Sequence, residues 1–124
     1  MAVLPQEIQV WYVLPALRRE LAIALIRRHS MPQKKVASIM GLSEGAVSQY
    51  LSSKRGTSVK FGSGVIKEIE VSAKRISDDN SAAMDELIRL SGLGKVKQTI
   101  CRLHMDQDSS VAKGCDICFR HSAF

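Results

Sequence analysis

Gly41 constrains the folding of this 124-residue chain more than any other residue. It lies in the stretch MPQKKVASIMGLSEGAVSQYLSSKRG, residues 31–56, between two short runs of helical apolar spacing. Pro32 precedes the first run, where its fixed φ suits a helix start. Gly41 supplies a left-handed stop, and the Ser43 hydroxyl can cap the helix that follows. The spacing predicts one short helix through Met40 and another after Ser43, a helix-turn-helix arrangement. Ala37 is small where the two helices must cross. Val36, Met40, Leu42, Val47 and either Tyr50 or Leu51 supply their inner faces.

The flanking segments are helical as well. LPALRRELAIALIRRH, residues 14–29, places Leu14, Leu17, Leu21, Ile23, Ala24 and Leu25 at near-helical spacing, with Pro15 in the first turn and arginines opposite. Beyond the Gly/Ser-rich connection RGTSVKFGSG, residues 65–76 align Ile66, Ile69, Ala73 and Ile76 on one stripe. Residues 81–92 align Met84, Leu87, Ile88 and either Leu90 or Ser91, with Ser81 as the N-cap. Residues 93–104 form one more short helix leading into Cys101. These later helices close the core under the helix-turn-helix or form a dimer surface, and core closure is the simpler role for most of them. The expected fold class is all-α.

The formal net charge of +6 is unevenly placed. Residues 1–60 carry nine Lys/Arg against three acids, whereas residues 61–124 carry nine of each sign. An excess confined to one half is the electrostatic footprint of a nucleic-acid-binding module. No apolar run reaches the roughly 18–20 residues of a membrane span, and the N-terminus lacks the pattern of a secretory signal, so a cytoplasmic location is expected. No nucleophile and base in a recognisable frame, no phosphate loop and no paired carboxylates occur. An enzyme with a small-molecule substrate is therefore not expected.

The stretch LPALRRELAIALIRRHSMPQKKVASIMGLSEGAVSQYLSSKRG, with Ala37, Gly41 four later and Val47 six after that, resembles the lambda-repressor/Cro-like helix-turn-helix family, and within it small prokaryotic and archaeal transcriptional regulators. The resemblance is strong over about residues 12–56 and weaker beyond. It implies a lambda-repressor-like bundle in which the helix from Ser43 to about Ser53 enters the major groove of an operator. Its outward residues are then Glu44, Gly45, Ala46, Ser48 and Gln49. Gln49 can pair bidentately with adenine, Glu44 can accept from cytosine N4, and Ala46 can touch a thymine methyl. The resemblance gives Gln33 the phosphate-bonding and bracing position, and Ser48, Lys54 and Arg55 are placed for backbone contact. Lys34, Lys35, Arg27 and Arg28 can add phosphate contacts. A homodimer is expected, because one recognition helix reads too few base pairs and such regulators bind paired half-sites.

The last twenty-four residues form a different unit. Cys101-x2-His104 is followed by ten residues and then Cys115-x2-Cys118-x2-His121, which gathers all three cysteines of the chain. Pairs three residues apart can point at one ion, so three thiolates and one imidazole make a four-ligand site. His104 is the expected fourth ligand and His121 its alternative. An iron–sulfur cluster is the first choice of occupant, Zn2+ the second, and a metal-free thiol pair the remaining alternative. The resembled regulators often end in a cysteine quartet, and His104 here stands where the second cysteine would be. CDIC without a βαβ context is not read as a thioredoxin-like motif.

The expected organisation is thus a helix-turn-helix region over 1–62, helices completing the core or a dimer interface over 63–100, and a metal-binding tail over 101–124. The expected function is transcriptional regulation, with the C-terminal site as a redox, iron or metal sensor. The competing reading is a DNA-binding adaptor or antitoxin-like protein stapled by structural zinc.

Overall fold

The computed structural model describes residues 4–54, 56–57 and 59–107, the last three by backbone alone. Among them every regular element is helical, and none is long and apolar enough to cross a membrane. In chain order these are α1 (Pro5–Ile8), a π-helical turn (Gln9–Val13), α2 (Leu14–His29), α3 (Gln33–Met40), α4 (Glu44–Leu51), α5 (Ser63–Asp78), a 3-10 turn (Asn80–Ala82), α6 (Ala83–Ser91) and α7 (Gly94–Gln107).

The helical path begins earlier than the apolar spacing suggested. Pro5 opens α1, where a missing N–H leaves no unpaired carbonyl behind, and the Leu4 amide donates to the Glu7 carboxylate at 3.2 Å. Helical dihedrals then continue through residues 8, 9, 13 and 14 into α2. Pro15 therefore lies inside a continuous helical path, where its ring crowds the carbonyl four residues back. The π turn widens the helix just before it, with the Leu14 N–H donating to the Gln9 carbonyl. α2 ends at Ser30, which adopts φ +53, while the Met31 amide reaches back to the Leu25 carbonyl at 3.1 Å.

α2 occupies the centre of the bundle. Leu17, Leu21 and Leu25 join Ile69, Ala73 and Ile76 of α5 in one buried cluster. Ile8, Val13, Val36, Val47, Val65, Leu90, Val96 and Ile100 belong to the same cluster, so both ends of the described chain share one core. α7 packs against α1 and runs unbroken across residue 100, so the helix continues into the segment assigned to the tail.

α5 and α6 are joined by polar groups that periodicity did not indicate. Glu86 and Ser72 are buried, and the Ser72 hydroxyl donates to Glu86 Oε1 at 2.8 Å. Arg89 donates from Nε to the same oxygen at 3.2 Å and from Nη2 to Ser72 Oγ at 2.8 Å, and it also bonds the Glu68 carboxylate and carbonyl. Arg75 reaches Glu86 at 3.4 Å. Burial pushes the Glu86 carboxyl up, but the Ser72 hydroxyl and the Arg89 and Arg75 guanidiniums outweigh it and hold the pKa below its ordinary value. Burial likewise opposes the charge on Arg89, yet its bonds to Glu68 and Glu86 raise its pKa.

This clasp sets the orientation of α6. Ala83, Glu86 and Leu90 turn inward and Leu87 is half-buried, whereas Met84 and Ile88, which the spacing left to the core or a dimer surface, lie largely in water. The expected cap also moves by two residues. Asp79 caps the 3-10 turn, accepting from the Ser81 amide at 3.1 Å and the Ser81 hydroxyl at 2.7 Å. Those two bonds, the hydroxyl's the stronger, lower the Asp79 pKa.

Candidate nucleic-acid interface

The turn between α3 and α4 is built by local rules. Gly41 adopts φ +65, its amide donates to the Ser38 carbonyl at 3.4 Å, and the Leu42 amide donates to the Ala37 carbonyl at 2.8 Å. This pairing closes the end of a helix on a residue that side chains disfavour, which explains why glycine stands there. Ser43 is extended and its Oγ accepts from the Ala46 amide at 3.0 Å, so α4 starts with one of its free N–H groups satisfied. Val36 and Ala37 of α3 and Val47 and Tyr50 of α4 are buried. Leu51, the alternative to Tyr50, is half-buried.

On the outer side of the pair, Gln33, Lys34 and Lys35 are exposed in the first turn of α3. Glu44, Gly45, Ser48 and Gln49 are exposed on α4, as is Ser43 before it. Ala46 differs from expectation. It is only 7% exposed, because it follows the capping serine by three residues and shares the inward side with Val47 and Tyr50. A methyl so placed cannot present itself to a base edge in this conformation.

The far end of α4 is tied to α2 by residues that the sequence did not single out. The Lys54 amide donates to the Gln49 carbonyl at 2.9 Å and the Ser53 amide to the Tyr50 carbonyl at 3.3 Å, with Ser53 at φ +61. The same closing pattern used at Gly41 is thus repeated on a serine. Arg19 of α2 donates to Ser53 Oγ at 3.2 Å and pairs with Glu20 at 2.8 Å. Gly56, at φ +72, lies so close to α2 that a Cβ there would stand 2.6 Å from the Pro15 carbonyl oxygen. The only sequence signal for this anchorage is the glycine that ends SSKRG.

The basic residues have different surroundings. Lys34, Lys35 and Lys54 project from the α3–α4 pair, and Arg27 is exposed on α2. Arg28 is bridged to Glu70 of α5 at 2.9 Å, which offsets part of its charge. Arg55 lies outside the described residues.

Cys101 and His104 both belong to α7, where a three-residue spacing puts them on neighbouring positions of one helix face, and both are half-buried. Among the described residues Cys101 forms no disulfide. A sulfur and an imidazole one turn apart have the sequence spacing of two ligands of a single ion. Cys115, Cys118 and His121 lie outside the described residues. Among the described residues no three metal-ligating side chains come together. In comparisons with protein-family models, curated proteins and solved structures, the chain matches none.

Proposed function

We propose that the protein is a sequence-specific DNA-binding regulator of the lambda-repressor/Cro-like helix-turn-helix kind. The observation that carries this reading is the α3–α4 pair. Its turn is closed on Gly41 and its second helix is capped by Ser43, while Glu44, Ser48 and Gln49 remain exposed beside Gln33, Lys34, Lys35 and Lys54. α4 is the element that enters the major groove. Gln49 offers the donor and acceptor needed for an adenine edge, and Glu44 accepts from a cytosine amine. Lys34, Lys35 and Lys54 take phosphates and set the register, with Gln33 bracing the helix. Ala46 drops out of the base-reading set. Arg19, through Ser53, positions the end of α4. Two copies bind together in this reading, each reading a half-site in the cytoplasm.

The C-terminal cysteines and His104 hold an iron–sulfur cluster, with zinc as the alternative. Bound there, the cluster would supply redox or ligand-exchange chemistry. The chain contributes the Cys101 thiolate, the His104 imidazole and a continuous helix linking them to Val96 and Ile100 in the core. That helix is the route by which a change at the site reaches the DNA-binding region.

Selection from random double-stranded DNA, followed by anisotropy titration, tests the first part. Enrichment of a paired motif is expected, with Gln49→Ala relaxing preference at one position by about 1–3 kcal/mol and Lys34→Ala reducing the salt slope by about one. Salt-sensitive binding without sequence preference would reject the regulator reading. A visible spectrum of anaerobically purified protein, with iron, sulfide and zinc assayed together, tests the second part. A colourless protein with one tightly held zinc and redox-insensitive DNA binding would instead support a structural staple.

A further inference from the structure

α6 carries its most apolar exposed residues on the side away from the Glu86–Arg89 clasp. Met84 is 74% and Ile88 64% exposed, and they lie one helical turn apart. Both line an open groove of about 650 Å³, together with Leu14 and Arg18 of α2 and Ile39 and Met40 at the end of α3. Arg18 is the only charged side chain among the described residues of that lining. Among the described residues it has no ion pair or side-chain hydrogen bond, and neither has exposed Asp85, the neighbour of Met84.

We infer that this groove and the exposed side of α6 form a self-complementary interface that docks a second copy of the chain. A two-fold interface requires that each surface supply both the projecting and the receiving half. Met84 and Ile88 are the projecting half, and the groove between α2, α3 and α6 is the receiving half. The charges follow the same rule, since a guanidinium on the groove wall, unpaired among the described residues, answers a carboxylate beside the projecting residues that is likewise unpaired among them. A small apolar ligand would fill the groove but leave Asp85 without a counterpart and most of Met84 in water. Because Ile39, Met40 and Gly41 line the groove, docking there braces the turn that leads into α4.

The inference supplies the pairing surface for the proposed DNA-binding reading and is tested without DNA, so either can fail while the other stands. Sedimentation equilibrium of the full chain over a range of concentrations is expected to show a dimer. Ile88→Glu should raise the dimer dissociation constant by about tenfold or more while leaving the helical circular dichroism unchanged. Arg18→Glu and Asp85→Arg should each weaken the dimer by placing like charges together. Mixed in equal amounts, the two variants should recover it, because both charge pairs of the heterodimer are then opposite in sign. A wild-type monomer at every concentration would overturn the inference and point to another cover for the groove, such as residues 108–124. A dimer indifferent to Ile88→Glu would overturn it too, as would a mixture that remains monomeric.

Discussion

α4 and α6 are eight and nine residues long and pack into the same bundle, yet they divide their residues in opposite ways. α4 turns Ala46, Val47 and Tyr50 inward and leaves Glu44, Gly45, Ser48 and Gln49 in water. α6 turns a carboxylate inward and leaves Met84 and Ile88 outside. A small polar face can stay hydrated at no cost until a partner arrives. Two exposed apolar side chains forgo about 1.5–3 kcal/mol each that full burial would supply. The outer face of α4 is therefore the less costly of the two to leave in water.

Core truncations should show the largest effects and should not distinguish the two helices in kind. Leu90→Ala is expected to destabilise the protein by about 2–5 kcal/mol, with Val47→Ala at the lower end of that range or below, read from urea unfolding. A much smaller loss at Leu90 would mean that α6 is not seated as described.

The buried carboxylate separates the helices next. Glu86→Gln removes the charge that Arg89 and Arg75 face and should cost about 1–3 kcal/mol at neutral pH. Because the folded state lowers the Glu86 pKa, its ionised form favours folding above the ordinary carboxylate pKa. That contribution is lost as pH falls through the lowered value. The wild type should therefore lose more stability on acidification than Glu86→Gln, as measured by urea midpoints between neutrality and about pH 3. Parallel curves would show that Glu86 contributes no folded-state charge interaction.

Capping sharpens the contrast on a smaller scale. Ser43→Ala removes the bond to the Ala46 amide and should cost about 1 kcal/mol. Ser81→Ala should cost less, because the capping carboxylate belongs to Asp79 and still accepts the residue 81 amide. Equal losses would mean that the start of α6 depends on the serine itself.

The smallest stability effects belong to the outer faces. Gln49→Ala and Met84→Ser should each stay within about 0.5 kcal/mol of wild type in unfolding experiments at low protein concentration. If Met84→Ser were as damaging as Leu90→Ala, the outward orientation of α6 would be wrong.

Legibility in the sequence followed the range of the forces involved. Gly41 and Ser43 act within one turn of themselves, so the α3–α4 pair and most of its exposed residues could be read directly. Ala46 was misplaced because the inward side of α4 depends on how the capped helix lies against its neighbours. The anchorage through Arg19 and Ser53 spans thirty-four residues and leaves no local pattern. For the cysteine segment, the sequence supplied the spacing and the tertiary structure added only that Cys101 and His104 share α7 with core residues.

By itself the sequence determined that the described chain is helical, where α3 stops and α4 starts, and that its positive charge gathers in the first half. Those properties rest on backbone dihedrals, neighbouring hydrogen bonds and composition. Only the tertiary structure decided which side of α6 faces the core. Apolar spacing left Met84 and Ile88 to either the core or a dimer surface, and Ser72, Arg75 and Arg89 could satisfy a buried carboxylate only once α5 lay beside α6. It likewise extended the helical path back to Pro5, because a widened turn before Pro15 accommodates a ring that a regular helix resists.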